Sequence, residues 1–295
     1  SSDLVQNWGG GQTNGQSYNS AMLTNGDGYD TRWDTTISYE VQGLGEKHSL
    51  NVMLGNEVLS NRYNQTQIYG TTYPEGWDFD RTFGNIGASI YKGNDTYNYI
   101  DGHPNHTVSW FGRANYSFQG RYILTATMRA DGWSKFSKGN RWGYFPAGAI
   151  AWRISDEPFM TDARDWMDNM KLRLSFGTSG NDQIASGLTE TLWTTSATTV
   201  NGESVTTYQP GKILGNPDLK WETTISRNIG VDFSLWNGKL HGSVDLYHNT
   251  TKDVLMLVPC DPTTGFSFQM QNIAQTSNKG IEVSLNYEVV RRKDW

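Results

Sequence analysis

Apolar and polar side chains alternate over long stretches of the chain, which predicts β-strands that each expose one apolar face. At 33–41, Ile37 and Tyr39 lie on one side, and Ser38 and Glu40 lie on the other, because successive strand residues point to opposite faces. The pattern recurs and predicts nine strands, at 33–41, 48–54, 107–118, 121–131, 142–154, 170–178, 221–235, 239–249 and 279–289.

The connections between these strands alternate in length. The first, third, fifth and seventh are short, at 42–47, 119–120, 155–169 and 236–238, and the others are long, at 55–106, 132–141, 179–220 and 250–278. Outer-membrane barrels alternate short periplasmic turns with longer extracellular loops in this way. We therefore predict an all-β fold, an antiparallel transmembrane β-barrel whose four long connections are extracellular loops. The 155–169 link is long for a turn, and we expect a short interfacial helix there.

A secreted β-sandwich is the alternative, because its strands alternate in the same way. Sandwich strands average about 5–6 residues, whereas several strands here keep the alternation much longer. Aromatic residues near strand ends also suit the girdles of a membrane barrel, at Trp110, Tyr116, Tyr122, Trp152 and Tyr287. One residue breaks the pattern: Arg227 lies on an apolar face, which costs about 2–4 kcal/mol near the bilayer midplane and little near the headgroups.

Composition supports a β-protein with a large wet surface. Hydrophobic residues make up 36% of the 295 residues, yet 13% are aromatic and 32 are glycine, and Tyr and Trp place one end in apolar surroundings and the other in water. No apolar run reaches the length of a transmembrane helix. The net charge of −6 disfavours nucleic-acid binding. Cys260 has no partner cysteine, and no third ligand accompanies His103 and His106, so we expect no metal site.

Six segments form an ordered set of motifs. They read HSLNVMLGNE at 48–57, SWFGRANYSFQGRYILTATMRADGWSKFSKGNRWGYFPAGAIAWRISDEPFM at 109–160, KLRLSFGTSGN at 171–181, NPDLKWET at 216–223, TKDVLM at 251–256 and NKGIEV at 278–283. In this order they resemble the barrel of SusC/RagA-type TonB-dependent transporters of Bacteroidota. The resemblance covers residues 30–290 or so. It implies a central part of a barrel of about 22 strands, without the family's plug domain, TonB-contacting segment and final strand.

The first residues carry no signal-peptide pattern, and we expect the chain to start within a longer protein. The resemblance implies active import of glycan or peptide oligomers across the outer membrane, with no cofactor and no enzymatic activity. It also implies four partners: a SusD-like surface lipoprotein, the TonB–ExbB–ExbD complex, the surrounding lipid and lipopolysaccharide, and an oligosaccharide or oligopeptide. A secreted β-rich domain that binds or cleaves glycans is the other function that these residues allow.

Two sets of candidate site residues follow from the resemblance. Ligand contact is expected from aromatic side chains in the long connections, at Trp77, Trp133, Tyr73 and Phe136, although such rings also pack large loops. The polar faces of the strands would line the lumen, with charges at Arg113, Arg129, Arg173, Asp232, Asp245 and Glu282 and further ones at Lys171 and Glu288. General solvation of the lumen is the alternative role for these charges.

Overall fold

The computed structural model describes residues 2–13, 16–89, 96–100, 104–200 and 203–289. Within them the chain is almost entirely β-structure, in two compact units, Ser1–Trp33 with Val58–His106 and Asp34–Glu57 with Thr107–Trp295. The strands are β1 (Ser2–Thr13), β2 (Gln16–Glu40), β3 (His48–Thr71), β4 (Thr96–Ile100), β5 (Asn105–Phe118), β6 (Tyr122–Trp133), β7 (Trp142–Arg153), β8 (Met167–Asn181), β9 (Trp193–Val200), β10 (Glu203–Pro210), β11 (Ile213–Leu214), β12 (Glu222–Leu235), β13 (Leu240–Pro259) and β14 (Phe268–Tyr287).

The first unit holds β1, β4 and parts of β2 and β3. Strand β1 pairs antiparallel with β2, and β4 pairs antiparallel with β3. Helix α1, Phe79–Gly84, begins after Asp78, whose side chain accepts a hydrogen bond from the Arg81 amide at 2.9 Å. This bond satisfies one of the amides that a helix N-terminus leaves without an internal partner.

The second unit is built on a meander in which sequential strands are neighbours. Strands β5, β6, β7, β8, β12, β13 and β14 follow one another in a single sheet, and each pair is antiparallel. The short β11 pairs parallel with β14, and β9 and β10 form a separate two-stranded sheet. The β5–β6 turn is tight, with positive φ at Gln119 and Gly120 (54° and 67°), which matches the type I′ turn that a two-residue hairpin favours.

All nine predicted strands are present, but several are longer than the alternation indicated. Strand β13 continues to Pro259 and β14 begins at Phe268, so the predicted 250–278 loop is mostly hairpin. Strand β3 likewise runs to Thr71 inside the predicted 55–106 loop, and β1 was not predicted at all. The 155–169 link contains two 3₁₀ helices, Ile154–Asp156 and Pro158–Ala163, in place of a single interfacial helix. The end of the chain, after 289, lies outside the described residues.

Candidate functional site

The second unit presents two opposite surfaces. One, the apolar face, carries Leu124, Ile150, Leu174, Ile229, Leu246 and Ile281, which stand side by side in a single cross-strand row. These side chains are exposed, from 41% for Leu174 to 68% for Ile281. Soluble proteins rarely expose a continuous apolar surface of this extent, so this face indicates an apolar environment.

The opposite surface, the polar face, carries an ion-pair network on β8, β12 and β13. The Arg173 guanidinium donates to both oxygens of Asp232, with Nη2 at 2.7 Å from Oδ1, and to Asp245 Oδ1 at 3.0 Å. Lys171 Nζ lies 2.8 Å from the other oxygen of Asp232. All four side chains are half-buried. Paired charges of this kind fix side-chain positions on a wet surface, and bidentate arginine contacts are the strongest among them.

Gly230 leaves room for this network. It lies between Arg173 on β8 and Asp245 on β13. A Cβ at this position would lie 2.3 Å from Asp245 Oδ1 and 2.8 Å from Arg173 Nη2. The glycine therefore lets a guanidinium cross one strand to reach a carboxylate on the next.

A second network surrounds Arg129 on β6. Its Nε donates to both oxygens of Asp131, at 2.7 and 2.9 Å, and its Nη2 donates to Ser109 Oγ at 2.9 Å. Glu57 Oε1 lies 3.4 Å from the same nitrogen, and the guanidinium stands 5.4 Å from the centre of the Phe111 ring. Arg129 thus connects β6 to β5 and β3 across the polar face.

Two more of the predicted lumen residues lie on the same surface. Arg113 stands opposite Thr127, and Glu282 stands opposite Asp245. Seven of the eight charged residues that were predicted to face the lumen, Lys171 among them, therefore share the polar face. Arg173, Asp232 and Asp245 are in direct contact, and Glu288 lies beyond the end of β14.

At the end of the second unit that carries the long connections, the structure contains a core that the sequence did not predict. It consists of Phe136, Phe145, Ile184, Leu188, Leu219 and Trp221, and Trp133 packs against it. Phe136 is only 1% exposed, with its ring centre 5.6 Å from that of Trp221. The expected ligand contact at Phe136 is therefore not available in this structure, since the ring packs the base of the long connections instead.

Trp133 keeps part of its ring accessible and has a cation beside it. Lys135 Nζ lies 4.3 Å from the ring centre and 3.1 Å from the carbonyl oxygen of Ile184, to which it donates. Burial lowers the pKa of Lys135, and burial raises the pKa of Asp182 nearby. Partial removal from water strengthens the attraction between the ammonium and the ring.

The other two predicted ligand aromatics belong to the first unit. Tyr73 is 4% exposed, and its hydroxyl donates to the carbonyl oxygen of Ile86 at 2.8 Å. This side chain is therefore packed, contrary to its predicted contact with ligand. Trp77 is half-buried, with its ring stacked 6.2 Å from that of Tyr73 and the Arg81 guanidinium 5.1 Å above it.

Glu157 is a buried acidic residue at the opposite end, in the link between β7 and β8. It is 6% exposed and accepts from Trp152 Nε1 at 3.0 Å and from Arg121 Nη1 at 3.3 Å. Hydrogen bonds from Tyr122 and Trp152 hold its pKa below the ordinary value. Tyr122 stacks on Trp152 beside it, and Phe159 meets Trp152 edge to face, as in the aromatic girdle of a membrane interface.

Two further features bear on function. Among the described residues, no group of three or more His, Cys, Asp or Glu is arranged to hold a metal ion, and His103 lies outside them. No helix in the described part of the chain is both long enough and apolar enough to cross a membrane.

Sequence analysis did not predict that four side chains are buried at the two ends of the second unit. They are Phe145, Leu219, Trp221 and Glu157. For Trp221 the only signal was its place in the NPDLKWET motif. The partner of Trp221 is distant in sequence, since its Nε1 donates to the carbonyl oxygen of Arg141 at 2.9 Å.

Comparison with known proteins identifies one family over nearly the whole chain. The family model described as TonB dependent receptor-like, beta-barrel, matches residues 2–295. TonB-dependent receptor P26 of Formosa agariphila is 35% identical over 264 residues, which are 88% of this chain and 25% of that protein. TonB-dependent receptor SusC of Bacteroides thetaiotaomicron is 39% identical over 199 residues, 65% of this chain and 19% of SusC. The chain thus spans about a quarter or less of these relatives.

Solved structures show the same fold. The RagAB peptide importer in its closed-closed state superposes with a TM-score of 0.79 at 23% identity, covering 94% of this chain and 30% of that chain. Its open-open state gives a TM-score of 0.79 over 100% of this chain and 31% of that one. At this identity the similarity establishes the architecture.

Proposed function

The chain belongs to the TonB-dependent receptor-like β-barrel family of outer-membrane proteins, and we propose that it forms part of the wall of an active importer of oligosaccharides or oligopeptides. The observation that carries this proposal is the pair of opposite faces in the second unit. The apolar face suits contact with lipid, and the polar face suits a water-filled lumen. The outer-membrane location of the family gives no support to the alternative of a secreted glycan-binding or glycan-cleaving domain.

The charged networks have a specific role in this proposal. Arg173 holds carboxylates on β12 and β13, and Arg129 holds Asp131 on its own strand and Glu57 on β3. We propose that these contacts keep the lumen wall rigid while a substrate passes. Arg113 and Glu282 belong to the same surface and would be solvated by the lumen. Transport requires no bond-breaking chemistry from these charged side chains.

Energy and ligand delivery are proposed to come from partners of the full-length protein. Similarity to SusC and to the RagAB importer supports a SusD-like surface lipoprotein and coupling through TonB–ExbB–ExbD. The RagAB structures are those of a peptide importer, whereas the aromatic side chains here suit sugar rings and peptide side chains equally. We therefore propose either oligosaccharides or oligopeptides as the substrate, and uptake by whole cells distinguishes the two.

Two of the four predicted aromatic residues remain ligand candidates. Trp133 and Trp77 each keep a partly accessible ring with a cation beside it. We propose that these rings stack on substrate, since an aromatic face gains about 0.5–1.5 kcal/mol from a stacked partner.

Uptake by whole cells tests the proposal. Cells that lack the gene are complemented with the full-length protein and given labelled oligosaccharides or oligopeptides, with and without a protonophore. We expect energy-dependent uptake of one class, and unlabelled oligomers of that class should compete. Uptake that neither gene deletion nor the protonophore changes would refute an active importer.

The Trp133→Ala variant tests ligand contact separately. It should reduce uptake at low substrate concentration by about two- to tenfold. Trp166→Ala is the matched control, because Trp166 is 43% exposed in the link between β7 and β8. Equal uptake by both variants would remove Trp133 from the ligand site and leave the importer proposal standing.

A further inference from the structure

Three basic side chains stand in one row on the apolar face of β12, β13 and β14. Arg227 on β12 lies opposite His248 on β13, and His248 lies opposite Lys279 on β14. All three are exposed, and His248 Nε2 lies 3.1 Å from Ser277 Oγ on the neighbouring strand. Neighbouring strands are about 4.8 Å apart, so the row places three basic groups within roughly 10 Å. We call it the basic row.

No carboxylate faces the basic row from these strands. Within the described residues, the positions on the apolar face next to the basic row along β12, β13 and β14 are Ile225, Ile229, Leu246, Thr250, Ser277 and Ile281. The nearby acidic residues Asp232, Asp245 and Glu282 lie on the polar face. The strands therefore carry a local positive charge on the apolar face, with no acidic side chain next to it.

A shallow apolar depression adjoins the basic row. Its volume is about 640 Å³, and Arg227 and His248 stand at its edge. Leu124, Ile150, Leu174, Phe176, Ile229 and Leu246 supply its apolar lining. Part of the space exists because Gly148 has no side chain there, and a Cβ at this position would meet only Thr125 O, at 3.6 Å.

The basic row stands at the level of the outer headgroups if the short links face the periplasm. Arg227 is eight residues from the end of β12 at Leu235. At about 3.3 Å per residue and a tilt near 40°, this is roughly 20 Å along the membrane normal. The apolar band of such barrels is about 25 Å tall. Arg227 thus lies near the outer edge of the band, where a cation costs little and can meet headgroup phosphates.

We propose that the basic row and the depression form a binding site for the lipid A part of lipopolysaccharide. A lipid A phosphate would contact Arg227, His248 and Lys279, and an acyl chain would occupy the depression. The two features match the two ends of one phosphorylated amphiphile. A soluble anion would use the cations without the depression, and an unphosphorylated lipid would use the depression without the cations.

Lipid carried by the purified protein tests this site. Full-length protein is extracted in mild detergent, and bound lipid is identified and counted by native mass spectrometry. We expect bound lipid A in the wild type and about tenfold or more weaker retention in an Arg227→Ala, Lys279→Ala double variant, since each basic residue near an anionic surface contributes about a factor of five. The control Arg164→Ala, Lys239→Ala removes two cations near the short links and should retain lipid like the wild type.

A second variant tests the depression with every charge kept. Gly148→Phe should fill the apolar space and lower lipid A retention. Added lipopolysaccharide should raise the melting temperature of the wild type, and phosphatase-treated lipopolysaccharide should not. Heat-modifiable mobility on gels checks that each variant has folded.

Three results would overturn the proposal. The first is equal lipid A retention by the wild type, the double variant and Gly148→Phe. The second is equal stabilisation by intact and dephosphorylated lipopolysaccharide. The third is the recovery of phospholipid alone, which would assign the site to another lipid.

Discussion

A charge placed near the middle of the apolar face should destabilise the folded protein, whereas the same charge one residue away should not. Val244 on β13 lies opposite Val231 and Val283 on the apolar face. It is four residues from His248 along the strand, roughly 10 Å deeper along the membrane normal. This depth places Val244 near the middle of the apolar band. Val244→Arg should therefore cost about 2–4 kcal/mol, which is roughly a 30- to 700-fold change in the folding equilibrium.

Ser243 provides the matched control, because its side chain lies on the polar face opposite Asp232. Ser243→Arg should change the free energy of unfolding by less than about 1 kcal/mol, since it adds an exposed cation beside a carboxylate. The assay is a urea titration of full-length protein folded into lipid vesicles, followed by tryptophan fluorescence and heat-modifiable mobility. Equal destabilisation by the two variants would show that the faces are wrongly assigned.

Two further predictions concern the charged groups. Arg173→Met should destabilise the folded protein by about 1–3 kcal/mol, because Asp232 and Asp245 remain half-buried without the guanidinium. Adding Asp232→Asn and Asp245→Asn should recover part of the lost stability in the same urea titration. No recovery would contradict the ion-pair network. Glu157 contributes stability that is fully present above its unfolded pKa of about 4.3 and is lost as pH falls through its lower folded pKa. Glu157→Gln should therefore reduce the dependence of the melting temperature on pH at acidic pH. A melting-temperature profile that the substitution leaves unchanged between pH 3 and pH 6 would refute this role of Glu157.

The alternation of side chains predicted the membrane-level strands well. Strands β5 to β8 and β12 lie within a few residues of their predicted bounds, because one side of each faces an apolar environment and the other a polar one. Prediction failed where that asymmetry ends. The outer parts of β3 and β13 are held by backbone pairing to neighbouring strands, and such pairing leaves little trace in residue type.

The candidate site divides in the same way. The sequence placed seven of the eight predicted lumen charges on one face, since parity along a strand is a local property. It did not reveal that Arg173 reaches two carboxylates across Gly230, or that Phe136 is buried. Those facts depend on residues far apart in the chain, such as Trp221 beside Phe136.

The sequence by itself therefore determined the strands at membrane level, the two faces and the family, because each depends on local alternation or on ordered motifs. The tertiary structure alone decided which charges pair, which aromatic rings are packed and which cations share a row. Arg227 shows the difference: in the sequence it is an exception on an apolar strand. The strand register brings it beside His248 and, one strand farther, Lys279, because hydrogen bonding between strands joins positions that sequence spacing does not.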